Sequence, residues 1–170
     1  MNGTINPQSV MIANDDPATR AEEQAVSNFS KGMNCAQSVF LVFASQYGIE
    51  PAIALRLSAA MGGGIGRKQE ICGAFNAGNL VIGLHFGNSL ANDKEAKEKT
   101  SALAQLFLDR MEKTFGGTTC SQILGGSSLK TADDRKLVKM KNLSELKCVP
   151  CIRITARVLA ELTLPKTKES

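Results

Sequence analysis

Apolar residues along this chain recur at three- and four-residue spacing, and no bounded run alternates with period two. The clearest stretch is ANDKEAKEKTSALAQLFLDRMEKTFGG. There Leu103, Leu106, Phe107, Met111 and Phe115 share a helical face, while Lys, Glu and Asp fall largely elsewhere. DPATRAEEQAVSNFSKG carries start and stop signals: Asp16 as cap, Pro17 in the first turn and Gly32 at the end. NCAQSVFLVFASQYG has Asn34 as cap and Gly48 as stop. It is apolar nearly all round, which predicts a central, buried helix. A third helix opens at Pro51 in EPAIALRLSAAMGGG and runs into Gly62, Gly63, Gly64 and Gly66. QEICGAFNAGNLVIGLHFG predicts a fourth, TTCSQILGG a short helical turn, and CVPCIRITARVLAEL a last helix. Residues 127–147 are basic and irregular and read as an exposed connector. The expectation is an all-α fold, a single compact bundle of about six or seven helices over 17–164. A flexible segment, 1–16, precedes it and a frayed tail, 165–170, follows.

Composition narrows the function classes. A chain of 170 residues fits one domain and buries roughly 70% of its unfolded surface, so it needs no staples. A net charge of +4 with no basic stripe and no interleaved aromatics gives nucleic acid no footing. No apolar run approaches the ~20 residues of a membrane span. The first residues lack the charged-then-apolar pattern of a secretory leader. A cytoplasmic location is the expectation; the five cysteines are odd in number, and that reducing compartment disfavours permanent disulfides.

Where those cysteines fall changes the picture. Cys35 follows the cap of the second helix, and Cys72 opens the fourth after the glycine-rich loop. Cys120 starts the short helix, and Cys148 and Cys151 bracket Pro150 at the start of the last. All five sit at predicted helix N-termini. The first turn of a helix offers free N–H groups and partial positive charge, which favour thiolate over thiol. A thiolate is the nucleophile of thiol–disulfide exchange and the ligand of soft metals and iron–sulfur clusters.

The motifs NCAQSVFLVF, GGGIGR, CGA with a following glycine, TCSQILG and a cysteine before a C-terminal helix occur in that order. In this the chain resembles the redox-active proteins named for their C_GCAxxG_C_C cysteine pattern, which are related to part of split-Soret cytochrome c. The similarity covers about residues 20–163. It implies a helical domain with four characteristic cysteines: Cys35, Cys72, Cys120 and one of Cys148 or Cys151. It also implies a redox role in which such cysteines can hold an iron–sulfur cluster. The motif's later glycine is displaced, since position 77 is alanine and Gly78 follows, and CVPC leaves the last cysteine open.

Other chemistry is weaker. CVPC resembles a thioredoxin-type dithiol locally but has no βαβ context. Zinc on CVPC would need two further ligands, which Cys72 and Cys120 can supply. GGGIGR follows a helix and lacks the ending of a phosphate loop. Close packing at Gly62, Gly63, Gly64 and Gly66 is its simplest reading, with Arg67 beside the thiols as the functional one, and Gly73 after Cys72 supports the same loop. His85 lies far from Cys72 along its helix, and a single histidine supports no Ser–His–Asp arrangement.

The expectation is a redox-active protein, an oxidoreductase or electron-transfer protein, in which Cys35 and Cys72 react. As a cofactor site it would use Cys35, Cys72, Cys120 and Cys148, with Cys151 as alternative or fifth member. The cofactor would be an iron–sulfur cluster, with zinc as alternative and none for thiol/disulfide chemistry. The partner would be a redox protein, and assembly with like copies stays open. The competing expectation is a non-enzymatic helical binding module with structural zinc or merely packed cysteines.

Overall fold

The computed structural model describes residues 16–164. The expected lead-in at 1–16 lies outside them except for Asp16, and so does the tail at 165–170. The described residues form eight α-helices and no strand: α1 (Pro17–Ser30), α2 (Cys35–Ala44), α3 (Pro51–Ala59), α4 (Gly73–Phe86), α5 (Lys94–Phe115), α6 (Cys120–Ile123), α7 (Ala132–Met140) and α8 (Val149–Thr163). A 3₁₀ turn, Ser45–Tyr47, extends α2, and a π-helical turn, Ser144–Cys148, leads into α8. The fold is all-α, as the spacing predicts.

Local signals set most of the boundaries. The Asp16 carboxylate accepts from the N–H groups of Ala18 and Thr19 at the start of α1. Asn34 closes a capping box with Gln37 on α2, and Gly48 ends the following 3₁₀ turn at φ 69°. The connector expected at 127–147 is largely helical. Thr131 caps α7 and its N3 residue Asp134 answers back, a reciprocal pair that satisfies two backbone donors within an otherwise basic stretch.

α2 and α4 form the centre, and α8 and α1 pack around them. Phe40, Phe43, Phe75, Ile82, Ile152 and Leu159 are fully buried there. α5 is seated on α4 through Phe107, whose ring meets Phe75 edge-on at 6.4 Å. A Cβ at Gly78 would stand 2.4 Å from Phe107 Cζ, so the displaced motif glycine is where α5 rests on α4. On α5 the structure keeps Phe107 and Met111 in the core, but Leu106 is 65% exposed. Only one narrow stripe of α5 faces α4, and Leu106 falls beside it. Across the bundle, buried Glu22 of α1 binds Arg153 and Arg157 of α8 and ties these two helices together. Among the described residues, no helix is long and apolar enough to cross a membrane.

Candidate functional site

The loop between α3 and α4 is built from left-handed backbone. Gly63, Gly64, Ile65, Gly66 and Arg67 run consecutively at φ between 59° and 67°, and Gln69 follows at 66°. For Gly this costs little; for β-branched Ile65 and for Arg67 and Gln69 it is strain that the surroundings must hold. The surroundings are specific. The buried Gln69 amide donates to Ser127 O at 2.7 Å and accepts from Leu129 N at 3.0 Å, fastening the loop to the segment before α7. Gln69 carries no motif, so sequence reading had no means of finding it.

The same loop delivers two thiols to one place. Cys72 N–H donates to Thr118 O at 2.8 Å and Cys120 N–H to Glu70 O at 2.7 Å, around an isolated bridge between Ile71 and Thr119. A Cβ at Gly64 would lie 2.8 Å from Cys120 Cβ, and one at Gly73 would lie 3.3 Å from Cys35 Cβ. Only hydrogen at these two positions lets the segments approach so closely. Gly62 acts elsewhere. It makes room for Asn34, whose side chain reaches Ala59 O at 3.0 Å and joins the start of α2 to the end of α3.

All five cysteines stand at helix starts: Cys35 and Cys120 as first residues of α2 and α6, Cys72 and Cys148 as N-caps of α4 and α8, and Cys151 in the first turn of α8. Cys148 also closes the π-helical turn that leads into α8, and its three-residue offset from Cys151 keeps both on one helix face. All five are free thiols. They meet in pairs: Cys151 hydrogen-bonds to Cys72, and Cys35 to Cys148. Cys120 stands near enough to Cys72 and Cys148 to feel their charge. The first pair is inner, with Cys72 5% and Cys151 0% exposed, whereas Cys35 and Cys148 are half-buried.

Helix starts alone would lower every one of these thiols, and the structure corrects that expectation. Cys72 is held below the ordinary value of 9.0, first by the hydrogen bond from Cys151. The N–H groups of Ala74 and Phe75 add to this against the upward push of burial. Cys151 moves the other way, through its hydrogen bond to Cys72, burial and neighbouring negative charge. Cys35 is raised by its bond to Cys148, then by burial and by Cys148, Cys72 and Cys120. Burial and the charges of Cys72 and Cys148 push Cys120 up to about 12. Crowding several ionisable groups lets one keep its charge at the others' expense.

This predicts a stability change at high pH. Above the ordinary thiol value of 9.0 the unfolded chain releases a proton that folded Cys120 retains until about 12. The native state then binds more protons than the unfolded one, and stability falls as pH rises. Urea unfolding in reductant between about pH 8 and about pH 10.5 should show the parent losing about 1 kcal/mol more per pH unit than Cys120→Ala. Parallel slopes would mean that Cys120 ionises freely in the native state.

A cavity of about 400 Å³ opens beside the outer pair, lined by Cys35, Cys120 and Cys148 together with Gly62, Gly63 and Arg67. With the thiols and the glycine loop at one place, the comparison with protein families becomes informative. Residues 33–162 match the family described as "Putative redox-active protein (C_GCAxxG_C_C)". The chain belongs to that family. No curated protein and no solved structure matches it. The family match covers all five cysteines and the whole loop between α3 and α4.

Whether a metal suits these family cysteines is a question of donor geometry. Among the described residues, no group of three or more His, Cys, Asp or Glu side chains is disposed to hold one metal ion. A structural zinc needs four ligands closed on one point at about 2.3 Å for sulfur. In this structure the thiols are engaged two by two and are not closed on one such point. His85 pairs instead with Tyr47 at 2.8 Å, on an exposed face.

Proposed function

We propose that this protein is a dithiol redox carrier, in which Cys72–Cys151 and Cys35–Cys148 each cycle between two thiols and a disulfide. The observation that carries this reading is the pairing itself: Cys72 is held below the ordinary thiol value, and its hydrogen-bond partner Cys151 is pushed above it. A thiolate beside a protonated thiol is the arrangement from which exchange begins, because the first attacks and the second resolves. Oxidation of each pair releases two electrons and two protons, and a disulfide on the partner takes them up to become two thiols. The family description agrees with redox chemistry in general terms.

A second reading has its own support. Five mutually influencing thiols, of which Cys35, Cys120 and Cys148 line a cavity, offer an iron–sulfur cluster ligands and some room. When bound, such a cluster would supply one-electron transfer. One preparation separates the readings. The protein is purified without oxygen, its visible spectrum, iron and acid-labile sulfide are measured, and thiols are counted before and after a mild oxidant. The dithiol reading expects a colourless protein that loses four thiols, with peptide mapping placing the bonds at Cys72–Cys151 and Cys35–Cys148. Stoichiometric iron and sulfide with a brown colour would replace it by the cluster.

A further inference from the structure

The cavity beside the outer pair has a lining of its own. Phe29, Leu124, Leu129 and Val138 make most of it apolar, and Cys35 and Cys148 open onto it. At about 400 Å³ it falls at the small end of the range for small-molecule sites. Among the residues that line it, Arg67 alone carries a permanent charge, and no carboxylate faces it. Arg67 forms no ion pair among the described residues. It is also held in the left-handed region at φ 67°, and its Cγ lies 3.1 Å from where a Gly63 Cβ would stand. The missing side chain at Gly63 therefore lets the arginine stem lie across the loop. An exposed cation with no ion pair among the described residues, at the rim of a largely apolar cavity beside two thiols, is placed to meet an anionic group.

We propose that this cavity is a binding site for a small disulfide bearing a carboxylate, held by the Arg67 guanidinium with its S–S bond toward Cys35 and Cys148. The inference rests on the dithiol reading and names the oxidant for its outer pair. One outer thiolate attacks a sulfur of R–S–S–R, forming a mixed disulfide and expelling R–S⁻. The second outer cysteine, as thiolate, attacks the bound cysteine sulfur and expels the remaining R–S⁻. The chain is left with a Cys35–Cys148 disulfide, and the two protons released by the cysteines go to the two product thiols. Two cysteines are oxidised and one small disulfide is reduced. Planar, two-pronged hydrogen bonding suits Arg to a carboxylate better than Lys would.

The test uses the full reduced chain and three disulfides of similar size: mercaptopropionate disulfide as dianion, hydroxyethyl disulfide as neutral and cystamine as dication. Each rate of Cys35–Cys148 formation, followed by quenched peptide mapping, is divided by that disulfide's rate with a free thiol peptide. The dianion should react about tenfold faster than the neutral probe and the dication slowest, as one charge-assisted contact allows. In Arg67→Gln the three corrected rates should fall within about twofold of one another. Equal corrected rates in the parent, or an unchanged preference in Arg67→Gln, would overturn the carboxylate site while leaving the dithiol carrier standing. If none of the three probes forms a disulfide in the parent chain, the dithiol reading falls and this inference falls with it.

Discussion

Cys72→Ser should fold like the parent and lose the inner half of its redox capacity. The substitution keeps the helix start, because serine is a preferred N-cap and its hydroxyl can accept from the same Ala74 and Phe75 N–H groups that serve the thiolate. Stability should change by no more than about 1 kcal/mol. The chemistry changes far more. A hydroxyl can neither act as the low-pKa nucleophile nor close a bond to Cys151, which is itself held protonated by its contact with Cys72 and by burial. A mild oxidant should therefore remove two thiols from Cys72→Ser instead of four, with Cys151 recovered unmodified. Thermal melting of both proteins in reductant checks the fold, and peptide mapping after oxidation checks the pairing. If Cys151 enters a disulfide with Cys120 or Cys148 at the parent's rate, then Cys72 is a packing residue and the pairing proposed for it is wrong.

The largest purely structural effect should come from Gly64→Ala. Its added Cβ would stand 2.5 Å from Glu70 O and 2.8 Å from Cys120 Cβ, at a φ of 65° that disfavours any side chain. The first contact is with backbone, so no rotamer change relieves it. The loop and the Ile71–Thr119 bridge must shift apart, carrying Cys72 and Cys120 with them. Left-handed strain and overpacking together predict a loss of about 3 kcal/mol, or about 6–12 °C in melting temperature for a chain of this size. Gly66→Ala is the control. It has a comparable φ of 59° but open space around it, so only the backbone term remains, about 1–2 kcal/mol. Equal losses in the two variants would mean that the close approach at Gly64 contributes nothing to holding the thiols together.

These outcomes bear on how much of the site was legible in the chain. The glycines at 62–66 announced a backbone need, and three of them do lie in the left-handed region. Ile65, Arg67 and Gln69 share that conformation although their residue types argue against it. Their positive φ is imposed by the hydrogen bonds of the whole loop, among them the Gln69 amide donating to Ser127 and accepting from Leu129, some 60 positions away. The placement of Cys35, Cys72 and Cys120 at helix starts could be read from caps and breakers. The π-helical turn that carries Cys148 could not, because nothing in SELKC distinguishes it from an ordinary helical turn.

By itself the sequence determined the class of fold, the caps at Asp16 and Asn34, the breaks at Gly48 and the glycine loop, and a set of five thiols near helix ends. Those features rest on interactions within a few residues, between a side chain and its own backbone or along one face of a helix. Tertiary structure alone decided which thiol meets which, and so which one keeps a negative charge. A helix start favours a thiolate by a modest local field, whereas burial and neighbouring sulfur act at full strength only once the segments pack. At Cys72 the hydrogen bond from Cys151 and the backbone N–H groups prevail over burial; at Cys120 burial and the nearby charges face no such opposition.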